Sequence, residues 1–281
     1  MKEIYTALIT PFNEEKAIDY QSLDKLLQHL LLAGNDHFVV GGTTGEAPTL
    51  QWEEKKHLIS YIGQQSPHAK IVFGVSSNNT KECIRQIQEL ETNPYISAFM
   101  VVVPYYNKPS QEGIYQHFEA IAKATKKDLI IYNVPGRTSS NISIETICQL
   151  LENNKTIIGL KQAGDIDGIE TIKQKFPNFK IYIGNDNLLY EGLQKGADGI
   201  ISVASHIVYP LIKNICESNN PFLDDYLKMI SHYLFLEPSP APVKYVLSNM
   251  GIIKNELRLP LVPVSKSLQE SLDSLVTVLK R

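Results

Sequence analysis

The sequence predicts one large (β/α)8 barrel that is followed by a helical extension. Eight short runs rich in β-branched residues recur along the first 205 residues, and amphipathic helical patterns separate them. Most runs are continuously apolar, as expected for parallel strands that are covered on both faces. Strand-then-helix units that repeat without a second sheet favour a closed parallel barrel. The runs lie at residues 4–10, 37–40, 70–75, 99–103, 129–132, 157–161, 180–183 and 199–203.

The helical patterns place a boundary near residue 220. Between the first two runs, five leucines from position 23 to position 31 share one helical face, and Gly34 follows as a C-cap. Beyond residue 221 the chain shows helices without strands, at 223–236, 241–250 and 265–279. We therefore predict a catalytic barrel over residues 1–220 and a C-terminal helical extension over residues 221–281. A doubly wound sheet is the main alternative, but no G-x-G-x-x-G motif follows any strand.

Composition excludes several classes of protein. The 281 residues are enough to bury a large core without metal or disulfide support. With 27 basic and 30 acidic residues the net charge is -3, which disfavours nucleic-acid binding and a polybasic membrane surface. Three cysteines without a CxxC pair, and histidines without metal-binding spacing, predict no disulfide framework and no metal site. Because we find neither a secretory signal nor a membrane span, we expect a cytoplasmic protein that acts on small molecules without a cofactor.

Lys161 is the leading candidate for a catalytic residue. Chemistry in a (β/α)8 barrel takes place at the carboxyl ends of the strands, and Lys161 closes the sixth run. A lysine there directs its amine into a partly dry pocket, where burial disfavours the charged form. The neutral amine can then attack a carbonyl and form a Schiff base. The alternative is a solvated lysine that only caps the strand.

Two further polar residues follow the fifth run. Tyr132 closes this run, so it should lie next to Lys161, where a phenol can move protons to and from an imine. The alternative is a core tyrosine with a locally satisfied hydroxyl. Arg137 follows a Pro-Gly turn, so we expect it on a loop, where a guanidinium suits bidentate capture of a carboxylate. An exposed ion pair is the alternative for Arg137.

Two more loops carry candidate residues. Residues 41–46, Gly-Gly-Thr-Thr-Gly-Glu, follow the second run, and the hydroxyls of Thr43 and Thr44 with nearby amides can bind a small carboxylate. A phosphate loop is the rival interpretation, but no lysine follows to match the charge. Tyr105 and Tyr106 follow the fourth run and face different ways, so at most one enters the pocket. Packing on a helix or a partner subunit is equally open for them.

Together these motifs resemble the dihydrodipicolinate synthase family of class I aldolase-type barrels, which is related to N-acetylneuraminate lyase. The resemblance covers essentially the whole chain and rests on residues 42–46, on residues 132–138 (Tyr-Asn-Val-Pro-Gly-Arg-Thr) and on Lys161. It implies a lyase of the diaminopimelate route to lysine that joins pyruvate and L-aspartate-4-semialdehyde into 4-hydroxy-tetrahydrodipicolinate through a Schiff base. A sister pyruvate-dependent aldolase, such as N-acetylneuraminate lyase or a 2-keto-3-deoxy-sugar acid aldolase, is one alternative. A non-catalytic barrel that binds a keto acid is another.

The resemblance also implies roles for individual residues. Lys161 would carry the imine. Tyr132, Thr43 and Tyr106 would form a proton relay, with Tyr106 supplied by the neighbouring subunit of a homodimer or of a tetramer built from two dimers. Arg137 would hold the carboxylate of the semialdehyde. The pyruvate carboxylate would be held by Thr44 and by the backbone near Gly184 and Ile201.

The chain departs from the family pattern in two places. After the lysine, the family usually has Lys-Glu-Ala-Ser-Gly-Asp, whereas residues 161–165 are Lys-Gln-Ala-Gly-Asp, one residue shorter. Some relatives are inhibited by lysine at a subunit interface, and Asn78, Glu82 and Tyr105 match polar positions of that allosteric site. The serine and histidines that are common in sensitive enzymes are replaced at positions 47, 52 and 55 by Ala, Trp and Lys. We therefore predict weak or absent inhibition by lysine.

Overall fold

The computed structural model describes residues 2–218 and 220–279 and closes eight parallel strands into a barrel. Each strand pairs with the next along the chain, and the last pairs with the first, so the predicted (β/α)8 barrel is confirmed. The strands are β1 Glu3–Ala7, β2 His37–Val40, β3 Lys70–Val75, β4 Ile96–Val102, β5 Asp128–Asn133, β6 Ile157–Gln162, β7 Lys180–Ile183 and β8 Gly199–Ser202.

Helices follow the strands around the outside of the barrel. Several begin with a side chain that accepts a backbone N–H of the first turn; Asp19, Asn79 and Ser110 do so. The helices are α1 Tyr20–Leu32, α2 Trp52–Gln65, α3 Thr80–Leu90, α4 Gln111–Lys123, α5 Pro135–Thr138, α6 Ile144–Asn153, α7 Ile169–Lys175, α8 Leu189–Gln194, α9 Ser205–Ser218, α10 Pro221–Leu234, α11 Ala241–Asn249 and α12 Lys266–Leu279.

The core has two layers, which explains why the strand runs are continuously apolar. Alternate strand residues fill the barrel interior, among them Tyr5, Met100 and Tyr182. Their neighbours face outward and pack against the helices, as Phe38 and Phe99 do. Because both faces of every strand are covered, apolar residues are favoured at consecutive positions.

Helices α10, α11 and α12 follow α9 without an intervening strand, as the sequence pattern predicts. Pro221 opens α10, and the side chain of Asn220 caps it by accepting the N–H of Phe222. Helix α11 packs against α9, α10 and α12. The division of the chain at residue 220 stays a prediction. Within residues 2–218 and 220–279, no helix is long and apolar enough to cross a membrane.

Several predicted bounds differ from the structure by one to three residues; β4, for example, begins at Ile96 rather than at residue 99. The first strand ends at Ala7 rather than at residue 10, since only Leu8 continues the pairing, through its N–H to the Val39 carbonyl at 3.0 Å. Arg137 lies in the one-turn helix α5 rather than on a loop. The turn forms because the carbonyl of Val134 accepts the N–H groups of both Arg137 and Thr138, at 2.9 and 3.0 Å.

Candidate active site

The side chain of Lys161 lies at the carboxyl end of β6, directly opposite Tyr132 on β5. This is the neighbour relation that the strand order predicts. Lys161 is only 6% exposed, and its Nζ lies 4.4 Å from the centroid of the Tyr132 ring. In the part of the chain that the structure describes, this amine takes part in no hydrogen bond or ion pair. It is therefore buried beside a phenol and is not held by a carboxylate.

Close backbone contact fixes the loop that follows β2. A Cβ atom on Gly74 would lie 2.6 Å from the carbonyl oxygen of Gly41, so strand β3 and this loop can meet only through glycine. Gly41 itself has a φ of +71°, in the region that favours glycine. Gly41 therefore allows the predicted sharp turn, while Gly74 on β3, which the sequence analysis did not single out, allows the close backbone contact.

The two threonines of this loop lie at the rim in a tight turn. Thr44 is buried, with 6% exposure, and Thr43 is half-buried. The N–H of Glu46 donates to the Thr43 carbonyl at 3.0 Å, and the Thr10 hydroxyl donates to the Gly45 carbonyl at 2.8 Å. The first bond closes the turn around Thr44, and the second ties the loop to the segment that follows β1.

Gly184 and Ile201 lie at the ends of β7 and β8. The N–H of Gly184 donates to the Gln162 carbonyl at 2.7 Å, which ties this residue to the strand that carries Lys161. Ile201 is 1% exposed and belongs to the apolar cluster inside the barrel. Both residues are on the same side of the barrel as Lys161. Their predicted contact with a carboxylate stays a prediction.

Asp186 is a site residue that the sequence analysis missed. Its carboxylate is fully buried, accepts the hydroxyl of Ser202, and accepts the N–H groups of Val203 and Ala204 at 3.1 Å each. Burial raises the pKa of Asp186, while these hydrogen bonds and the positive charge of Lys161 act in the opposite direction. Asp186 thus fixes the loop after β8 from within the site. The available signal was an acid two residues beyond Gly184, at a strand end.

Gln162 shows how the shortened segment after the lysine is accommodated. Its Oε1 accepts from the amide of Asn133 at 3.0 Å, and its Nε2 donates to the backbone carbonyl of Asp165 at 2.6 Å. A glutamate at position 162 has no N–H to donate, so it could not make the second of these bonds. The replacement of Glu by Gln therefore fits the shorter loop.

Arg137 and Tyr106 lie further out on the rim. Arg137 is exposed, and no ion pair holds it among the residues described. Tyr106 is 86% exposed and has a φ of +73°, and its N–H donates to the Thr138 carbonyl at 3.2 Å. Tyr105 is less exposed, at 37%. Tyr106 therefore points away from its own barrel core, in a loop fastened to α5.

The structure brings together two of the three predicted allosteric residues. The side-chain amide of Asn78 donates to the Tyr105 carbonyl at 3.1 Å. The Glu82 carboxylate is engaged on its own helix by Arg85 and by the amide of Gln86, at 2.7 Å. The guanidinium of Arg85, followed by the Gln86 amide, lowers the pKa of Glu82 to about 2.

The closed (β/α)8 barrel, with a lysine buried beside a tyrosine on its carboxyl rim, resembles a barrel of the class I aldolase type. The chain also matches the dihydrodipicolinate synthetase family over residues 1–279. The chain belongs to this family.

The relatives cover nearly the whole chain. The 4-hydroxy-tetrahydrodipicolinate synthase of Bacillus subtilis strain 168 is 40% identical over a 286-position alignment that covers 98% of this chain and 98% of the relative. The structure of a chloride-inhibited dihydrodipicolinate synthase from Acinetobacter baumannii complexed with pyruvate superposes with a TM-score of 0.94 at 34% identity, covering 99% of both chains. A monomeric dihydrodipicolinate synthase variant also gives a TM-score of 0.94 at 34% identity, covering 99% of this chain and 97% of its own.

Proposed function

We propose that this enzyme condenses pyruvate with L-aspartate-4-semialdehyde through a Schiff base on Lys161. The enzyme class predicted from the sequence is confirmed, because 4-hydroxy-tetrahydrodipicolinate synthases match 97–98% of the chain at 37–40% identity. The assignment to Lys161 is carried by one observation. Its amine is buried 4.4 Å from the Tyr132 ring and has no hydrogen-bond partner within residues 2–218 and 220–279.

The first half of the reaction activates pyruvate. The neutral Nζ of Lys161 attacks the keto carbon, and the resulting carbinolamine loses water to form an imine. The imine nitrogen then withdraws electrons from the adjacent methyl group, which loses a proton and becomes the nucleophilic carbon of an enamine. Lys161 thus supplies the electron sink that a metal ion supplies in other aldolases.

The second half forms the product and frees the enzyme. The enamine carbon attacks the aldehyde carbon of the semialdehyde, the aldehyde oxygen takes up a proton, and the imine is regenerated. The amino group of the semialdehyde then attacks the imine carbon and displaces Nζ of Lys161. This closes the six-membered ring of 4-hydroxy-tetrahydrodipicolinate.

Tyr132 would move the protons that these steps require. Its ring lies against the Lys161 amine, and residues at strand ends are held more rigidly than residues on loops. Thr43, half-buried on the glycine-rich loop, would connect Tyr132 to Tyr106 of a neighbouring subunit. The 86% exposure of Tyr106 supports donation to another copy of the chain.

Two separate groups would bind the two carboxylates. The Thr44 hydroxyl, with the backbone near Gly184 and Ile201, would hold the carboxylate of pyruvate. Arg137 lies further out, with no ion partner in the described chain, and would hold the semialdehyde. This separation matches the order of events, because pyruvate must reach the lysine before the second substrate arrives.

The proposed working form is a homodimer or a tetramer of two dimers. It requires the neighbouring Tyr106, whose side chain stands clear of its own barrel. The relative described as a monomeric variant has a very similar fold, with a TM-score of 0.94, so the barrel does not itself dictate one assembly. Activity measured against protein concentration tests the shared site, and full turnover by a monomer would overturn it.

We place the enzyme in the cytoplasm on the state of its cysteines. All three are free, and Cys83 and Cys148 are buried. Burial raises the pKa of the Cys83 thiol to about 12, which leaves it unreactive. Free thiols of this kind suit a reducing compartment.

Trapping with borohydride tests the function directly. Borohydride reduces an imine to a stable amine, so wild-type protein incubated with pyruvate should gain one pyruvyl adduct in its intact mass. Peptide mapping should place the adduct on Lys161, and Lys161→Ala should abolish it. An adduct that persists in this variant, or that is absent from the wild type, would contradict the mechanism.

Steady-state assays separate this function from that of sister enzymes. Pyruvate with L-aspartate-4-semialdehyde should turn over, whereas N-acetylneuraminate and 2-keto-3-deoxygluconate should not be cleaved at a comparable rate. Preferred cleavage of a sugar acid would assign the chain to a sister activity while leaving the Schiff base intact.

A further inference from the structure

A buried ion pair is formed by the last residue of the glycine-rich loop. The ammonium of Lys244, on α11, donates to the carboxylate of Glu46, and both side chains have an exposure of 0%. The two residues are 198 positions apart. The pair therefore joins the loop after β2 to the C-terminal helices.

Other polar contacts complete the pair on both sides. Lys244 also donates to the Glu256 carbonyl at 2.9 Å, and its Nζ lies 4.2 Å from the centroid of the Phe12 ring. The second carboxylate oxygen of Glu46 accepts the N–H of Arg258 at 3.0 Å. Each charge is thus surrounded by specific partners, as a buried ion requires.

Arg258 also connects the C-terminal segment to the residues that follow the glycine-rich loop. Its guanidinium donates to the Thr49 carbonyl at 2.9 Å and forms two bonds to Glu54, at 2.7 and 2.6 Å. Glu54 in turn accepts the N–H of Gln51 at the start of α2. The segment around Arg258 therefore holds the turn between the glycine-rich loop and α2 at both ends.

Stability alone is a weak reason for this arrangement. Buried ion pairs are commonly no more stabilising than apolar residues of the same volume, because both charges lose their hydration. Glu46 also adopts a φ of +54°, which is unfavourable for a residue with a side chain and persists only where its surroundings impose it. The N–H of Glu46 bonds to the Thr43 carbonyl at 3.0 Å, so this conformation is transmitted directly to Thr43.

We propose that Glu46 and Lys244 are positioning residues that hold Thr43 and Thr44 in place at the active site. The C-terminal helices thereby set the geometry of a loop that belongs to the barrel. This role rests on the function proposed above for the two threonines. Neither Glu46 nor Lys244 touches substrate; each acts through the backbone of the loop.

The variant Glu46→Gln tests the role with little change in volume. We expect kcat/KM for pyruvate to fall roughly 10- to 100-fold, because a misplacement of about 1 Å is enough for such a loss. The KM for pyruvate should rise, since Thr44 is displaced. The KM for the semialdehyde should stay unchanged, since Arg137 lies on α5. Unchanged kinetics, or an equal rise of both KM values, would overturn the proposal.

Lys244→Met and the double variant provide the second measurement. Lys244→Met should show the same rise in the KM for pyruvate. If a single variant fails to fold, the double variant Glu46→Gln/Lys244→Met, which leaves no buried charge unpaired, carries the same expectation. Val246→Ala is the matched control: it lies on α11, is 0% exposed, and should lower the melting temperature without changing either KM. If Val246→Ala reproduces the kinetic defect, the ion pair has only a structural role and the proposal is wrong.

Borohydride trapping separates a failure of this role from a failure of the proposed function. If the wild type forms no adduct, the Schiff-base function itself is wrong. If the wild type forms the adduct and Glu46→Gln does so at the same half-saturating pyruvate concentration, only the positioning role is overturned. The expected result is an adduct in both proteins, with a higher pyruvate requirement in the variant.

Discussion

Lys161 and Lys244 are two buried lysines that differ in their partners. Their exposures are 6% and 0%, and their amines lie 4.4 and 4.2 Å from the centroids of Tyr132 and Phe12. Lys244 is bonded to the Glu46 carboxylate and to a backbone carbonyl. Lys161 has no such bond in the described part of the chain. Burial over an aromatic ring therefore does not by itself mark a nucleophilic lysine.

Asp186 interacts electrostatically with Lys161, but its carboxylate is already hydrogen-bonded to other groups. Asp186 receives the Ser202 hydroxyl and two backbone N–H groups, so its carboxylate holds the loop after β8 rather than the lysine. At the other site, Glu46 directs one carboxylate oxygen to Lys244 and the other to the backbone of Arg258. Lys244 is thus paired with a carboxylate, whereas Lys161 has no hydrogen bond to one among the described residues.

Replacing Lys161 should have the largest effect on activity and little effect on stability. We expect Lys161→Met to lower kcat by at least about 10³-fold, because the covalent intermediate cannot form. Its melting temperature should stay equal to that of the wild type or rise, since the change removes a buried amine without a partner. Turnover of the purified variant and thermal unfolding followed by circular dichroism test both halves. A marked loss of stability would make Lys161 a structural lysine as well.

Replacing Lys244 should have its largest effect on stability, beside the rise in the KM for pyruvate expected above. Lys244→Met leaves the buried Glu46 carboxylate without its cation, and breaking a buried pair in this way costs about 3–5 kcal/mol. We expect a clearly lower urea midpoint at neutral pH, while the pyruvate adduct on Lys161 still forms. Loss of the adduct in a folded variant would show that the two lysines are not separable.

The pH dependence of stability provides a control for Lys244. Burial lowers the pKa of Lys244 to about 8, with Glu46 opposing this shift, whereas a lysine in the unfolded chain titrates near about 10.4. Between these values the unfolded chain binds more protons, so this group makes the free energy of unfolding rise with pH. The stability difference between wild type and Lys244→Met should therefore grow above about pH 8. A difference that shrinks over this range would contradict the assignment.

Arg137 extends the comparison to a cation that is exposed and has no ion pair with the residues that the structure describes. Arg137→Ala should raise the KM for L-aspartate-4-semialdehyde about 10- to 100-fold, since hydrogen bonds to a charged group contribute about 1.5–3 kcal/mol. The KM for pyruvate should not change. Arg137→Lys, which keeps the charge but loses the planar fork, should recover only part of the effect. Equal changes in both KM values would place Arg137 outside the semialdehyde site.

Added lysine should have the smallest effect. The Glu82 carboxylate is bonded to Arg85 and Gln86, so it is not available to an incoming ammonium group. We expect initial rates to be essentially unchanged at millimolar lysine. Inhibition by half at micromolar lysine would contradict this, and Glu82→Gln would then test whether the site is the one suggested by Asn78 and Tyr105.

The sequence predicts well the positions of those candidate residues that lie at strand ends. Lys161 and Tyr132 each close an apolar run, and consecutive strands in a (β/α)8 barrel are neighbours, so their adjacency follows from the strand order. The exact ends of the elements were less predictable. Arg137 was expected on a loop, because a four-residue helix leaves no periodic pattern to detect.

Contacts between residues that are far apart along the chain could not be predicted from the sequence. Nothing local links Glu46 to Lys244, and a charged residue within a helical pattern normally indicates a solvated face. Asp186 was missed for a related reason, since its partners Ser202, Val203 and Ala204 belong to the following strand and loop. Short-range patterns predict elements, while the pairing of buried charges depends on how those elements assemble.

The 198-residue separation of Glu46 and Lys244 has a consequence for biosynthesis. A ribosome releases the loop early and α11 late, and contacts between such distant segments form only after most of the chain is available. Lys161 and Tyr132 can meet as soon as β5 and β6 pair. The glycine-rich loop can be fixed in place only after α11 has been synthesised. A chain that ends before α11 would therefore retain Lys161 but lack the ion pair that holds Glu46.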